Sequence, residues 1–444
     1  KYLAELDACR WSQLLCAFVM TSRRGDAAAP RRVLVYSHSW LPRQVDGVAV
    51  RMMAHVDCMV KQGVKVTLAT PDFQIPGEVY PDDSNETKPF KPVPGVEHIL
   101  LQTARTPVYK KNKCMKMSFS NLKILIEAIK RTRPDMVHGT QEASCQVLAC
   151  ACIICDVPLI ISIHTDVAQI AARDHGFSAL GGQIGRLHAW LSVRAVHWGY
   201  RNWALAGGTY FPVSQQSNTI LKNAGVSDAK VAPVTWGPMV DRDQFRIDLP
   251  EKEVASARQR LTFGLANAYL MVYVGRVTAE KDIQFLVDSL ERAPKNVVLA
   301  LIGPGSLCEE LCKLHGPKAR IYCEGKFCGR EEVALSLRAA DCHVSASTME
   351  TVGFTAMESI SCGTPMLAAK AQGFALYLSH GVNARLFAPG NKESFDEELA
   401  VMMSTKWDRQ ALRASMESAS IDACTERAFN AYLYGSRANF RWLR

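Results

Sequence analysis

The sequence lacks a long apolar run. Its 444 residues contain no stretch of the roughly 18 apolar residues that a membrane-spanning helix needs, and the candidate near the start, Leu14 to Met20, is far too short. Residues 1–30, with Arg23 and the run Ala27-Ala-Ala-Pro30, have the composition of a targeting remnant or of a disordered leader. We therefore expect a leader over 1–30 and no transmembrane helix.

A strong charge of one sign is also missing. Lys and Arg total 52 against 43 Asp and Glu, which gives a formal net charge of +9. A bias this small and diffuse does not indicate nucleic-acid binding, but it suits phosphates and acidic lipid headgroups. We expect anionic partners and no nucleic acid.

Cysteine is present, but not in the spacing of a disulfide scaffold or a zinc site. The chain has 15 Cys, and the apolar run around residue 150 holds Cys145, Cys150, Cys152 and Cys155. Cys152 and Cys155 match C-x-x-C, yet no second pair follows at zinc-ligand spacing. We interpret these residues as reduced core thiols, which predicts a reducing compartment such as the plastid or the cytoplasm.

Neither half of the chain opens with the G-x-G-x-x-G fingerprint of a dinucleotide site. The loop 42–48, after the first predicted strand, has Gly47 as its single glycine. This absence argues against a nicotinamide-dependent dehydrogenase, an enzyme class that would share the strand–helix alternation of this chain.

Strands and helices alternate along the chain, and the pattern starts again in the second half. Short apolar runs predict first-half strands at 33–36, 66–70, 136–138 and 159–163, and second-half strands at 270–274, 297–302, 342–345 and 365–368. Between the halves, 232–250 is rich in Pro and Gly and is typical of a linker. The sequence therefore predicts an α/β protein with two Rossmann-like, doubly wound domains facing across a cleft. The predicted segments are the leader 1–30, an N-terminal Rossmann-like domain 31–235, a C-terminal Rossmann-like domain 236–425 and a helix 426–444 that returns to the first domain.

The strongest functional signal runs from Ser345 to Glu358. A predicted strand ends at Ser345, a loop passes Glu350 and Gly353, and a helix begins at Phe354. Gly353 lets the backbone approach a ligand, and the free N–H groups of the helix start predict a diphosphate site. Glu358, one turn into the helix, is placed to accept hydrogen bonds from ribose hydroxyls. Either glutamate alone would be interpreted as a surface residue.

Two cations follow the first strand of the second half. Gly275, Arg276 and Lys281 lie in the loop that leaves the strand 270–274. Arg and Lys side chains in such a loop can clamp a diphosphate and neutralise charge as the nucleotide leaves. Without the neighbouring motif, both would be interpreted as solvated surface cations.

In the first half, His164 and Gly47 both follow predicted strands. His164 comes directly after the strand 159–163. Because ligands bind beyond the carboxyl ends of parallel strands, both residues are expected at the cleft.

Taken in order, these motifs resemble those of the family-4 retaining glycosyltransferases. The resemblance covers about 32–390 and rests on Asp46-Gly47-Val48, His164, Gly275-Arg276, Lys281, Leu301-Ile-Gly303-Pro-Gly305, Glu350, Glu358 and Gly363-Thr-Pro365. It implies the two-domain GT-B fold and transfer of a sugar from a UDP- or GDP-sugar donor with retention of the anomeric configuration. No further cofactor is implied.

The resemblance also implies a role for each position. The catalytic residues are expected to be Glu350 and His164, which lie near the donor sugar, together with Arg276 and Lys281 on the diphosphate. The donor-binding residues are expected to be Gly47, Gly275, Arg276, Lys281, Gly303, Glu350, Val352, Gly353, Phe354 and Glu358.

Some positions depart from the family pattern. The usual paired glycines after the last strand appear as Gln372-Gly373, the usual Asn-Gly as Asn383-Ala384, and the interdomain segment Trp236 to Asp241 is longer than usual. Asp241-Arg242-Asp243 spells the D-x-D of a different, metal-dependent glycosyltransferase fold. Because it falls in the interdomain segment, we expect it to be structural and expect no metal.

Two subgroups are most similar, the sulfoquinovosyl-diacylglycerol synthases and the GDP-mannose-dependent mannosyltransferases, and both work at membranes. Two basic, aromatic stretches of the first domain suit a membrane surface. One is 105–116, with Tyr109, Lys110, Lys111, Lys113 and Met115; the other is 185–203, with Arg186, Trp190, Arg194, Trp198, Tyr200, Arg201 and Trp203. A packed helix with snorkelling arginines is the alternative for the second stretch.

The resulting expectation is a peripheral membrane enzyme that transfers a sugar to a lipid such as diacylglycerol, with UDP-sulfoquinovose as the donor. The alternatives are a GDP-mannose-dependent α-mannosyltransferase or another family-4 hexosyltransferase with a glycan or small-molecule acceptor. A non-catalytic sugar-nucleotide-binding subunit is the alternative from another class. Such a subunit would be expected to have lost Glu350, Arg276 or Lys281, and all three are present.

Overall fold

The computed structural model describes residues 30–437, apart from 45, 82–83, 106–112, 142–144, 165–181, 206–207, 349, 351 and 372. Several predicted features lie outside the described residues: the leader over 1–29, Tyr109, Lys110, Lys111, Gln372, the end of the chain from 438 to 444, and the side chains of Arg186 and Trp203.

The first half folds into a six-stranded parallel sheet. Its strands are β1 (Arg32–Tyr36), β2 (Lys65–Pro71), β3 (Glu97–Leu101), β6 (Met136–Thr140), β7 (Leu159–Ile163) and β8 (Thr209–Pro212), in the spatial order β3-β2-β1-β6-β7-β8. A separate antiparallel pair, β4 (Thr103–Arg105) and β5 (Lys113–Met115), lies between β3 and the next helix. The helices are α1 (Gly47–Lys61), α2 (Phe119–Thr132), α3 (Cys145–Cys155), α4 (Gly182–Leu205) and α5 (Gln215–Asn223).

The second half repeats the same topology. Its sheet has the order β11-β10-β9-β12-β13-β14, all parallel, with β9 (Tyr269–Val274), β10 (Val297–Ile302), β11 (Ile321–Cys323), β12 (Cys342–Ser345), β13 (Met366–Ala369) and β14 (Ala384–Phe387). The helices are α6 (Glu251–Leu261), α7 (Ile283–Ser289), α8 (Cys308–Leu311), α9 (Arg330–Ala339), α10 (Phe354–Ser361), α11 (Lys392–Ser404), α12 (Arg409–Ala414) and α13 (Ile421–Arg437). Both sheets therefore follow the doubly wound strand order of a Rossmann domain.

The central strands are apolar on both faces because helices cover both sides of each sheet. Every residue of β6, β7 and β10 is buried. One hydrophobic cluster joins the two halves, since it contains Val33 of β1 and Leu270 of β9 together with Trp236 between them. The predicted α/β fold of two doubly wound units is confirmed, whereas the domain boundaries stay predictions.

The last helix, α13, packs against α1 of the first half. The Tyr432 hydroxyl lies 2.8 Å from His55 Nε2 and 2.7 Å from His138 Nδ1, and all three side chains are buried. Cys58 Sγ on α1 donates to Asp422 Oδ1 at 3.2 Å. The helix begins at Ile421, earlier than the predicted 426.

Burial corrects several predictions about side chains. Cys145 and Cys152 are buried core thiols, but Cys150 is exposed and Cys155 is only partly buried, because they lie on the outer face of α3. In the stretch 105–116, Lys113 and Met115 are buried rather than on a basic surface. Lys113 Nζ donates to Phe73 O at 2.7 Å and pairs with Glu86 at 3.1 Å, which removes it from any membrane face. Within the described residues, no helix is long and apolar enough to cross a membrane.

Candidate active site

The topology places a crevice in each sheet at the point where the strand order reverses, between β1 and β6 and between β9 and β12. The loops that leave β9 and β12 at this edge carry Gly275 and Glu350. The loop that leaves β1 carries His38, whose backbone N and Nδ1 lie 2.9 and 2.8 Å from Thr140 Oγ1 at the end of β6. His164 follows β7 at the same edge of the first sheet.

The start of α10 is held by a left-handed glycine and by the hydroxyl of a partly buried tyrosine. Gly353 has φ +72°, and a Cβ there would lie 2.5 Å from Phe374 Cε1. The Tyr377 hydroxyl lies 2.7 Å from Val352 O and 2.6 Å from Gly353 O. Burial raises the pKa of Tyr377 well above its usual value, so the hydroxyl stays a donor. The first N–H groups of a helix have no partner within the helix, so those at the start of α10 can bind an anion.

Two glycine loops pack backbone against backbone beside this helix. A Cβ on Gly303 would lie 2.2 Å from Gly275 O, and a Cβ on Gly305 would lie 2.0 Å from Val277 O. Gly275 N donates to Ile302 O at 3.0 Å, and Val277 N donates to Pro304 O at 2.9 Å. The loop after β9 can follow this path only because Gly303 and Gly305 have no side chains.

The two predicted cations have different partners. Lys281 Nζ lies 2.6 Å from Glu350 Oε1, and both side chains are largely buried. Arg276 Nη2 pairs with Glu280 Oε1 at 2.5 Å, and its side chain is 61% exposed. The structure therefore brings Lys281 and Glu350 together as one unit, with Arg276 at the rim.

Glu358 lies on α10, one turn from Phe354, and is partly buried. Burial raises the pKa of Glu358 to about 7, while Arg330 lowers it and Asp241 raises it. The carboxyl group is thus near the midpoint of its titration at neutral pH in the unliganded protein.

This pKa predicts a pH-dependent donor affinity. If ribose hydroxyls donate to Glu358, binding favours the ionised carboxylate, so affinity for a UDP-sugar should rise by up to about tenfold between pH 6 and pH 8. Titration calorimetry across this range measures the effect. A Glu358→Gln variant, which has no proton to lose, should show a flat profile and serves as the control. A flat profile in the unmodified protein would contradict the assignment.

His164 is buried at the end of β7 as a neutral imidazole. Its Nε2 lies 2.8 Å from Ser162 Oγ, and its ring centroid lies 5.7 Å from that of Trp236. Burial, followed by the charge of Arg51 and then by His38 and His138, lowers the pKa of His164 well below its usual value. A ring this hard to protonate can position a substrate by hydrogen bonding but is a weak base.

Gly47 and Phe354 connect the two halves of the site. Gly47 opens α1, whose N-cap Asp46 accepts from Ala49 N at 2.9 Å through Oδ1. A Cβ on Gly47 would lie 2.8 Å from Phe354 Cε2. The starts of α1 and α10 therefore meet, and both helix ends carry partial positive charge where a diphosphate is predicted.

Three residues of this region were not predicted from the sequence. Arg51 and Trp236 are buried between the halves, and Tyr377 fixes the start of α10. A signal for Arg51 existed, because Arg51 and His55 occupy the buried face of α1 together with Met52, Val56 and Met59. A charged residue on an apolar helix face is unusual enough to deserve a functional interpretation.

Among the described residues, one cluster has its possible metal-ligand atoms within 4.8 Å of one another: Glu324, Cys328 and Glu332. Arg260 pairs with Glu324 at 2.9 Å and with Glu332 at 3.2 Å, so both carboxylates already have a cationic partner. Asp241 of the D-x-D accepts from Gln244 N at 3.1 Å and from Arg330 Nη2 at 3.3 Å. The Glu324 group and Asp241 therefore both have protein partners.

Two families match the chain in succession. Residues 45–237 match the family described as Glycosyltransferase Family 4. Residues 262–420 match Glycosyl transferases group 1. The first match includes Gly47 and His164, and the second includes every donor-side residue from Gly275 to Glu358.

Similar curated proteins are glycosyltransferases. The sulfoquinovosyl transferase SQD2 of Arabidopsis thaliana is 24% identical over 387 residues, which span 86% of this chain and 69% of that protein. A D-inositol 3-phosphate glycosyltransferase of Xylanimonas cellulosilytica is 29% identical over 191 residues, which span 41% of this chain and 46% of that protein.

Solved structures establish the fold. Anabaena HepE in complex with UDP aligns with a TM-score of 0.62 at 17% identity, over 89% of this chain and 98% of that chain. A glycosyltransferase from Rickettsia africae aligns with a TM-score of 0.66 at 15% identity, over 90% of this chain and 97% of that chain. With both family matches in sequence order and the doubled Rossmann topology, the chain belongs to the family-4 glycosyltransferases of the GT-B fold.

Proposed function

We propose that this glycosyltransferase transfers sulfoquinovose from UDP-sulfoquinovose to diacylglycerol at a membrane surface, with retention. The observation that carries the proposal is the similarity to the sulfoquinovosyl transferase SQD2 along 86% of the chain. Complexes of HepE with UDP and with UDP-glucose support a nucleotide-sugar donor for this fold. No metal enters the proposal, because Lys281, Arg276 and the start of α10 supply positive charge at the predicted diphosphate site.

In this proposal the donor lies between the two halves. Its diphosphate contacts the N–H groups at Gly353 and Phe354, with Lys281 and Arg276 neutralising the charge that develops on the leaving nucleotide. Glu350 holds Lys281 in place and faces the sugar, and Glu358 accepts from the ribose. Gly275 and Gly303 keep the diphosphate loop in its path, and Gly47 permits α1 to approach from the other side.

The lipid acceptor is proposed from the exposed face of α4. Leu187, Trp190, Leu191 and Trp198 are each more than half exposed, and all fall on one helical face. Arg194, on the same face, lies with its Cζ 4.8 Å from the centroid of the Trp190 ring. Apolar and aromatic side chains mixed with arginine suit the headgroup layer of an anionic bilayer.

The direct test is product analysis. The protein is incubated with UDP-sulfoquinovose, UDP-glucose or GDP-mannose and with vesicles containing diacylglycerol, and lipids are then separated and identified. The expected product is sulfoquinovosyl-diacylglycerol. A mannosylated product, or transfer only to water-soluble acceptors, would replace this donor and acceptor. Absence of both transfer and donor hydrolysis would favour a sugar-nucleotide-binding subunit.

Membrane binding gives a second expected result. Binding to vesicles with anionic lipids should weaken as salt rises, since surface charges are screened over about 8 Å at physiological ionic strength. Replacing Trp190 and Leu191 together by serine should reduce binding by about tenfold or more, because each buried apolar side chain contributes about 1.5–3 kcal/mol. Vesicle sedimentation measures both effects.

The control for this experiment is Phe327→Ser, which removes a similarly exposed apolar side chain from the second half. Its vesicle binding should match that of the unmodified protein. If the two variants bind alike, α4 is not the docking face. If no binding to acidic vesicles occurs at any salt concentration, a soluble acceptor is favoured.

Retention is the third expected result. Burial makes His164 a weak base, and no motif residue is assigned to the sugar face opposite the nucleotide. The bond from the anomeric carbon to the diphosphate should therefore break first. The acceptor oxygen then bonds on the same face, and its proton passes to the departing phosphate oxygen. An α-linked donor should give an α-linked product, readable from the anomeric proton coupling by NMR. A β-linked product would contradict this assignment.

A further inference from the structure

Arg51 is a buried cation whose charge lacks an anionic partner in the described part of the chain. Its side chain is 1% exposed. Nη1 donates to Gly237 O at 2.9 Å, whereas Nη2 has no hydrogen-bond partner among the described residues. Burial lowers the pKa of Arg51 to about 10, with the Cys424 thiol raising it and Arg427 lowering it. The guanidinium therefore stays charged at neutral pH.

The surroundings of Arg51 are aromatic. Its Cζ lies 5.2 Å from the Trp236 ring centroid and 5.6 Å from that of Phe354. Aromatic faces stabilise a cation in part, but they leave the free N–H without an acceptor. An isolated charge in a low-dielectric site is costly unless an opposite charge binds there.

The neighbours of Arg51 add a second, independent observation. Trp236 Nε1 and His138 Nε2 are also buried without a partner among the described residues. The His138 ring centroid lies 5.2 Å from that of Trp236. The guanidinium and indole nitrogens are donors in every protonation state at neutral pH, so the missing partner is an acceptor. An oxyanion satisfies both the donors and the charge.

The position of Arg51 indicates which part of a substrate this oxyanion belongs to. Arg51 is one turn along α1 from Gly47, and its charge acts on His164, the predicted sugar contact. The diphosphate already has Lys281, Arg276 and the start of α10 in the second half. The sugar is therefore expected on the first-half side of the site, beside His164 and Trp236, whose ring centroids lie 5.7 Å apart.

We propose that Arg51 and the indole N–H of Trp236 form a subsite for an anionic substituent of the transferred sugar, a sulfonate or a carboxylate. This inference rests on the proposed function. Phe354 covers the guanidinium in the described arrangement, so the substituent enters as the Phe354 ring moves aside. Arg51 then binds the charged substituent of the sugar, while Lys281, Arg276 and the start of α10 bind the diphosphate of the nucleotide. This makes Arg51 a specificity-determining residue.

The experiment measures binding rather than turnover. Calorimetric titrations compare UDP, UDP-glucose, UDP-glucuronate and UDP-sulfoquinovose on the unmodified protein and on Arg51→Gln. At least one anionic-sugar donor should bind about 10- to 100-fold more tightly than UDP-glucose, as for a charge-assisted hydrogen bond in a buried site. Arg51→Gln should abolish that preference and leave UDP affinity within about twofold.

Two further variants keep the test independent of folding. Trp236→Phe keeps the ring and removes the N–H, so it should reduce the preference for the anionic sugar by several-fold with UDP binding unchanged. Arg51→Lys keeps the charge and should retain part of the preference. Thermal unfolding of each variant confirms that it is folded, and if Arg51→Gln fails to fold, the wild-type preference and Trp236→Phe decide.

Three outcomes would overturn the proposal. The wild-type protein could bind neutral and anionic sugars equally, Arg51→Gln could weaken UDP as much as the anionic donors, or Trp236→Phe could leave a wild-type preference intact. The second outcome would assign Arg51 to the diphosphate. If UDP binds but anionic-sugar donors bind no more tightly than UDP-glucose, the subsite at Arg51 is wrong and the proposed glycosyl transfer is unaffected. If neither UDP nor any donor binds, both the subsite and the proposed function are wrong.

Discussion

Replacing Lys281 by alanine should lower kcat/KM for the nucleotide-sugar donor by about 10²- to 10³-fold, the usual cost of losing one preorganised charge at a leaving group. Lys281 is held 2.6 Å from Glu350 in a largely buried position, so its ammonium is already in place when negative charge develops on the departing diphosphate. Steady-state kinetics with a fixed acceptor concentration measures the loss. Most of the loss in kcat/KM should come from a lower kcat.

The matched control is Lys326→Ala, which removes an exposed lysine that pairs with Glu324 in the same half. Its kcat/KM should stay within about twofold of wild type, because surface ion pairs contribute little. The kcat/KM of Arg276→Ala should lie between those of Lys281→Ala and Lys326→Ala, since Arg276 is 61% exposed and pairs with Glu280. Normal turnover by Lys281→Ala would remove Lys281 from the catalytic set.

Replacing Gly303 by alanine should lower the free energy of unfolding by about 3–5 kcal/mol, the combined cost of a disfavoured backbone conformation and an overpacked contact. Gly303 has φ +135°, and the new Cβ would lie 2.2 Å from Gly275 O. Relief of that clash must push the two glycine loops apart, so donor affinity should fall as well. Urea denaturation and donor titration measure the two effects.

Gly316→Ala separates the two causes. Gly316 has a similar φ of +155°, but no atom lies within 4 Å of the added Cβ. This control should lose only the backbone part, about 1–2 kcal/mol, and leave donor affinity unchanged. If Gly303→Ala is no less stable than Gly316→Ala, the close packing of the two loops does not determine the stability of this region.

Central strands and the donor helix were predictable because local sequence determines them. β12 has the predicted bounds, 342–345, and α10 begins at the predicted Phe354, since a buried apolar run, a glycine in the left-handed region and a helix follow one another there. All four edge strands, β3, β8, β11 and β14, were missed. β3 mixes exposed and buried positions, Glu97 and His98 among them, and so resembles a loop in sequence.

Contacts between distant segments were not predictable from one sequence. Lys281 and Glu350 are separated by 69 positions, and nothing in either motif indicates that the two side chains pair. The interdomain position of Arg51 likewise depends on how α1 meets Trp236 and Phe354. Most residues of the candidate site were therefore predictable from the sequence, but the contacts that join them were not, and the roles of these residues stay predictions.

The return of α13 to the first half means that the polypeptide passes between the halves twice. The two passages lie side by side, because Val240 N donates to Ala419 O at 2.7 Å and Arg427 Nε donates to Trp236 O at 2.8 Å. If the chain crossed only once between the halves, they could rotate about that single connection. Two adjacent crossings prevent this rotation, so bending about the line of the two crossings is the easiest relative motion. Any opening and closing of the two halves should therefore follow the same path. The start of α1 at Gly47 should then return to the same position against Phe354 each time the halves close.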